Sequence, residues 1–202
     1  MLFVAPTPQI AAVVLAAGMS TRMGRNKLLM DIVGESLVRR VVKAVEASRA
    51  RPIVVVTGQD DRAIGAALAG TAAKAVHNAQ YRDGLSTSLR AGIGAVSESD
   101  GAIILLGDMP GITASLIDRM IASFDPAGGR SICVAAYKGK RGHPVLFDRR
   151  FYPALQSIAG DIGPRHVVAE NEQAVCEVDA DNEAPLIDID TPEDLARFLE
   201  RR

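Results

Sequence analysis

Three cations, Arg22, Arg25 and Lys27, fall within six residues on a loop of small residues that begins at Gly18, with no acid among them. A glycine-rich loop lets backbone N–H groups approach an anion closely. Three positive charges exceed what one phosphate demands, so the chemistry this segment suits is the cradling of a triphosphate. The competing reading is a generic strand-to-turn with solvated cations. Known phosphate loops do not fit. Gly24 is followed by Arg25 where a Walker loop needs Lys, and Met19-Ser20-Thr21 lacks the further glycines of a dinucleotide fingerprint.

Carboxylates complete the pattern. Asp108 follows the apolar run Ile103 to Leu106, and Asp188 and Asp190 follow Leu186-Ile187. Ligands of open α/β sheets bind beyond the carboxyl ends of strands. Two carboxylates there, facing a cationic loop, suit one magnesium ion bridging phosphate oxygens, since magnesium takes one or two carboxylates plus phosphates and water. Asp108 also reads as a turn residue before Met109-Pro110, and Asp190 as a capping acid beside Thr191. Alternation along an extended segment puts Asp188 and Asp190 on one face, so the second ligand is open between them. His77, His143 and His166 are far apart and form no zinc pattern.

These groups need a scaffold of buried strands. Val13 to Ala17 reads as one, and Ile53 to Thr57 and Ala102 to Leu106 are two more. Ala75–His77 is a shorter candidate. Helices are expected over 36–48, from 59–61 through Leu68, over Leu85–Val96 (although Gly92 and Gly94 weaken it) and from a Thr113 cap to about Phe124. Ser131–Tyr137 and Gly142–Phe147 read as a hairpin that interrupts the alternation. Helical segments follow near 149–157 and 162–169, then strands near 174–178 and 186–189. Thr191-Pro192-Glu193-Asp194 signals a final helix start. Strands alternating with helices imply a mostly parallel sheet. The expected fold is α/β, a Rossmann-like three-layer sandwich with a small β-hairpin insertion, in a single domain over residues 1–202.

Composition narrows the class. At 48% apolar and 4% aromatic, aliphatic side chains fill the core, and a net charge of −1 argues against nucleic acid as the main partner. No run of eighteen apolar residues exists, so no membrane span is expected. Cys133 and Cys176 form no C-x-x-C and favour buried, reduced thiols and a cytoplasmic location.

The segment Leu-Ala-Ala-Gly-x-Ser-x-Arg-Met-Gly-x-x-Lys, residues 15–27, resembles the signature of nucleotidyltransferases with a Rossmann-like fold, the MobA-like NTP transferase superfamily. Gly84–Arg90, Gly107–Pro110, Gly142–Val145, Gly160–Arg165 and Asp188–Leu195 narrow the resemblance to the molybdenum cofactor cytidylyltransferases. Pro164 departs from that pattern, where a small residue is commoner, and puts a role for Arg165 in doubt. The resemblance implies transfer of CMP from CTP to the terminal phosphate of molybdopterin or its molybdenum form, with magnesium as cofactor and release of pyrophosphate. A recipient molybdoenzyme or its chaperone would take the product.

By the same carry-over, Leu15, Ala16, Ala17, Gly18 and Ser20 hold the nucleotide, and Arg22 and Lys27 neutralise its phosphates. Asp108 ligates magnesium, with Asp190 as the second ligand. Ala17 leans toward CTP, because the guanosine branch carries glycine there; one methyl discriminates by roughly 1–3 kcal/mol. Ser86 and Ser88 contact base or ribose, or cap the helix that follows. His143 and Arg165 meet the acceptor, or His143 is a structural turn residue. A GTP-dependent guanylyltransferase, a sugar-phosphate nucleotidyltransferase, a non-catalytic cofactor chaperone and an NADPH-dependent oxidoreductase are the alternatives.

Overall fold

The first strand explains the rest. β1 (Ile10–Ala16) is buried along its whole length, which demands cover on both faces. The computed structural model, which describes residues 7–18, 26–160 and 163–200, shows how that cover is built. β1 lies between two parallel neighbours, β2 (Ile53–Thr57) and β4 (Gly101–Leu106), so that Val14 pairs with both Val55 and Leu105. β3 (Lys74–His77) extends the sheet parallel to β2. Beyond β4 come β6 (Lys140–Asp148), β5 (Ile132–Tyr137) and β7 (Val175–Asp179), giving the order β3-β2-β1-β4-β6-β5-β7. Only β6 runs against its neighbours. The expected hairpin is therefore an integral part of the sheet, with β6 inserted between β4 and β5. Its two-residue turn, Lys138-Gly139, has positive φ at both positions, the geometry that matches strand twist.

Strand alternation splits the core in two. On one face, Ala12, Val14, Val55, Ile103 and Leu105 meet α1 (Leu37–Glu46) and α4 (Ala114–Ser123) through Leu37, Val41, Val45, Ile117 and Met120. On the other, Val13, Leu15, Val54, Val56 and Ile104 meet Leu89 and Ile93 of α3 (Leu85–Ala95). Leu155 of α5 (Tyr152–Ser157) and Val167 of α6 (Arg165–Glu170) finish that face. α2 (Asp61–Ala67) connects β2 to β3. Thr113 caps α4 by accepting the Leu116 N–H at 3.3 Å, as expected. Among the described residues no helix is long and apolar enough to cross a membrane.

One expected strand is absent. Residues 186–189 do not join the sheet: Ala184–Leu186 is a 3-10 turn containing Pro185, and an extended strap follows. The strap crosses the strand ends and is held by the Ile189 N–H donating to the Asp108 carbonyl at 3.0 Å. Ile189 is fully buried, so its neighbours Asp188 and Asp190 share the opposite side, as alternation implied without a sheet partner. α7 (Pro192–Glu200) then begins at a reciprocal cap. Thr191 Oγ1 accepts the Asp194 N–H at 3.2 Å, while Asp194 accepts the Thr191 N–H at 2.9 Å.

The glycines that weaken α3 on propensity have different roles. A Cβ on Gly92 would lie 2.3 Å from Val13 Cγ1, so this glycine lets the helix sit close on β1, whereas Gly94 faces open space. Gly92→Ala is expected to destabilise the fold by about 1–3 kcal/mol through overpacking, despite alanine's better helix propensity. Gly94→Ala should stabilise it by roughly 0.5–1 kcal/mol. Urea midpoints of the two variants check the opposite signs.

Candidate active site

Lys27 opens a short 3-10 turn, Lys27–Leu29, that is pinned at three points. Asn26 Oδ1 accepts the Leu28 N–H at 3.0 Å, Asn26 Nδ2 donates to Asp60 Oδ2 at 2.8 Å, and Leu28 is buried in the core. From this anchor the ammonium donates to Asp108 Oδ2 at 2.7 Å and to Asp190 Oδ1 at 2.6 Å. The side chains are 12%, 17% and 32% exposed, respectively, so the charges are only partly solvated.

Asp108 is placed by Gly107. The Gly107 N–H donates to the Leu15 carbonyl at 2.9 Å, tying the tip of β4 to that of β1, and a Cβ there would come within 3.1 Å of the same oxygen. Asp190 is placed from the other side, its N–H donating to Asp194 Oδ2 at 3.2 Å. Oxygens of Asp108, Asp188 and Asp190 lie within 4.8 Å of one another, enough to surround a metal ion. Asp108 Oδ1 is buried and has no hydrogen-bond partner among the described residues. Among the described residues, one ammonium and three carboxylates sum to a formal charge of −2 when all are ionised, the amount a divalent cation neutralises.

Electrostatics reflect this imbalance. Burial pushes the Asp108 carboxyl above its ordinary range; Lys27 pulls it back only in part, and Asp188 adds to the rise. Burial also works against the Lys27 charge, but Asp108 and Asp190 outweigh it and leave the ammonium harder to deprotonate than usual. A cluster of coupled, half-buried charges in a cleft is a functional-site signature.

The second wall is built by β1, β2 and α3. Leu15, Ala16 and Ala17 are buried and Gly18 is exposed at the end of β1; Ser20 and Arg22 lie outside the described residues, as does Arg25. Gly58 presses on this wall, since a Cβ there would fall 2.8 Å from the Ala17 carbonyl and 2.9 Å from Tyr81 Cβ. Behind it sits Asn78, which sequence reasoning missed. Its N–H donates to Thr57 at 2.9 Å, and its Nδ2 donates to Thr87 Oγ1 at 2.8 Å and Ser88 Oγ at 3.0 Å. Ser88 thus helps to fix Asn78. Ser86 does not cap α3: the cap position is Gly84, with φ of 103° and no side-chain bond, and Ser86 lies inside the helix. Its Oγ is fully buried without a partner among the described residues.

His143 lies on β6 two residues before Val145, which pairs with Ile104, and so reaches the carboxyl end of β4 at the level of Leu106. Gly142 sets that position: a Cβ there would strike the Pro185 carbonyl at 1.9 Å, so β6 lies directly against the turn that leads to Asp188. His143 is buried, and its Nδ1 has no partner among the described residues. Burial and the Arg165 guanidinium push its pKa down to about 4, against smaller upward pulls from the Ile104 backbone and from Asp188. Arg165 itself is exposed on the first residue of α6. The structure therefore brings together Lys27, Asp108, Asp188 and Asp190, with His143 and Arg165 on one flank. Leu15–Gly18 end β1 beside this group, and Ser86 and Ser88 lie buried in the first turn of α3, whose Ser86 N–H donates to the Gly160 carbonyl at 3.3 Å.

A mostly parallel sheet carrying a lysine and three carboxylates at its strand ends defines a nucleotidyltransferase fold. The chain belongs to the family described as the MobA-like NTP transferase domain, whose profile matches residues 12–175. It is similar to the nicotine blue oxidoreductase of Paenarthrobacter nicotinovorans, 30% identical over 95% of this chain and 97% of that protein. It is also similar to the molybdenum cofactor cytidylyltransferase of Escherichia coli K12, 28% identical over 95% of this chain and 96% of that protein. Among solved structures, Rv0371c of Mycobacterium tuberculosis H37Rv superposes with a TM-score of 0.82, at 29% identity over 97% of this chain and all of that one. A further structure of Rv0371c is a complex with manganese.

The His143 shift has a consequence for stability. An unfolded histidine titrates near 6.5, so below that pH the unfolded chain takes up a proton that the folded one refuses until about pH 4. Stability should fall as pH drops through this window and be insensitive to His143 above it. The expected loss from this residue between pH 7 and pH 5 is about 2 kcal/mol. His143→Asn should remove that component, measured as the difference in denaturant midpoint between the two pH values.

Proposed function

We propose that this protein transfers CMP from CTP to the terminal phosphate of molybdopterin, or of its molybdenum form, releasing pyrophosphate. The observation that carries the reading is the Lys27 ammonium held between Asp108 and Asp190 at the strand tips. The choice of CTP rests on Ala17, whose methyl takes up space at the end of β1 that a larger purine would need, with Gly58 packed against its carbonyl. The buried Ser86 hydroxyl supplies a polar group that a cytosine edge would satisfy. The similarity to the E. coli cytidylyltransferase supports the choice of acceptor, and in this reading His143 and Arg165 receive the pterin phosphate.

The donor set fits magnesium. Asp108, whose Oδ1 is orphaned, and Asp190 or Asp188 would hold it. When bound, the cation supplies neutralisation of the triphosphate and of the departing pyrophosphate. The rest falls to the chain. Backbone N–H groups at Gly18, with Arg22, orient the phosphates, and Lys27 donates hydrogen bonds to the oxygens on which charge develops. An oxygen of the acceptor phosphate attacks the α-phosphorus in line; that P–O bond forms as the bond to the pyrophosphate oxygen breaks. The nucleophile is already anionic, so no proton need be removed. Alignment and preplaced charge are what the site contributes. A recipient molybdoenzyme or its chaperone would receive the product.

A second reading is favoured by the similarity to the relative from Paenarthrobacter, an oxidoreductase. A nicotinamide cofactor would then occupy the glycine loop. Titration with NADPH separates the two, since saturable binding in place of CTP binding would support the reductase.

The test is pyrophosphate release with each nucleoside triphosphate, magnesium and molybdopterin. CTP should be preferred, and equal or better use of GTP would overturn the choice of nucleotide. Lys27→Ala should lower turnover by more than about 100-fold with the fold intact, and Asp108→Ala should abolish magnesium-dependent turnover. Ala17→Gly is expected to raise the use of GTP relative to CTP by roughly tenfold.

A further inference from the structure

The Lys27 ammonium occupies the place a metal ion would need. Its Nζ lies 2.7 Å from Asp108 Oδ2 and 2.6 Å from Asp190 Oδ1, the lengths of charge-assisted hydrogen bonds. Magnesium would require carboxylate oxygens of this cluster at about 2.0–2.1 Å. A divalent ion and an ammonium bridging the same two oxygens would stand within a few ångströms of each other in a partly desolvated cleft, where like charges repel far more than on a surface.

Three features make the lysine displaceable while its backbone is fixed. Asn26 and Leu28 pin the main chain on either side of Lys27. The four-carbon stem carries the charge and can swing about that anchor. The triphosphate of the proposed reaction is a richer acceptor for the ammonium than two carboxylates.

We propose that Lys27 is a resident counter-ion that keeps the carboxylate cluster closed to divalent metal. An arriving triphosphate draws the ammonium away and thereby opens the cluster. Metal and nucleotide then bind with positive coupling, because the nucleotide removes the metal's competitor, and by linkage the metal favours the state in which the lysine is free for the phosphates. The inference rests on the site being one for a metal–nucleotide pair. It adds an order: without nucleotide, the protein should hold metal weakly in spite of three converging carboxylates.

The test is Mn2+ binding to the nucleotide-free protein, followed by the loss of the free-ion electron paramagnetic resonance signal. Wild type should bind Mn2+ weakly, and Lys27→Met should bind it at least roughly tenfold more tightly. Lys27→Gln, which still donates a hydrogen bond to the carboxylates but carries no charge, should show the same gain. Asp108→Asn added to either variant should abolish the gain. Mn2+ should also raise the thermal midpoint of the Lys27 variants at concentrations that leave wild type unmoved. Equal Mn2+ affinity in wild type and both Lys27 variants overturns the proposal. A parallel calorimetric titration of wild type with CTP and Mn2+ keeps the two readings distinct. Absence of CTP binding overturns the functional reading, while the effect of Lys27 on metal affinity is judged on the Mn2+ data.

Discussion

An ammonium bridging two carboxylates at the end of a parallel sheet is the interaction around which this molecule is arranged. Lys27, Asp108 and Asp190 come from three distant parts of the chain and meet only because β1 and β4 run side by side and a strap crosses their ends. Half-buried charges of this kind are costly to desolvate and are retained where they serve chemistry. The surrounding backbone contacts point the same way. Gly107 is bonded to Leu15, Ile189 to Asp108 and Asp190 to Asp194, so each carboxylate is fixed by the main chain before its side chain acts.

Close approach of backbone is the second theme. Gly92 lets α3 lie on β1, Gly58 closes against Ala17, and Gly142 lies against Pro185. Each brings one wall of the cleft nearer than any side chain would permit. The cleft therefore owes its shape to missing Cβ atoms as much as to the residues that line it, and the single antiparallel strand, β6, delivers His143 to the carboxylate side.

Most of the sheet was legible in the sequence. β1, β2 and β4 are continuous runs of aliphatic and β-branched residues, which only a strand buried on both faces explains. The caps at Thr113 and Thr191 were equally plain. Asp108 and the Asp188–Asp190 pair were identifiable by their position after apolar runs, and the structure brings their carboxylates together. What could not be read depended on tertiary partners. The run 186–189 has the alternation of a strand, but its support is one backbone bond across the sheet ends rather than a ladder. Gly92 looked like a helix flaw because propensity carries no information about Val13 on the facing strand. Asn78 gave no signal at all, because its partners distant in sequence, Thr57, Thr87 and Ser88, are assembled only by the fold. Ser86 looked like a cap because serine favours that position, whereas Gly84, with its positive φ, already takes it.

The strap has a meaning in time as well as in space. Asp190 is 163 residues from the lysine it binds, while Asp108 is only 81 away. At a synthesis rate of about 5–20 residues per second, Lys27 leaves the ribosome roughly ten to thirty seconds before Asp190 is made. All seven strands precede the strap, so a growing chain owns its sheet before it owns the full charge cluster. Capture of an ion or nucleotide by an unfinished chain is thereby limited by geometry, and the segment that completes the charge cluster emerges only after every strand of the described sheet.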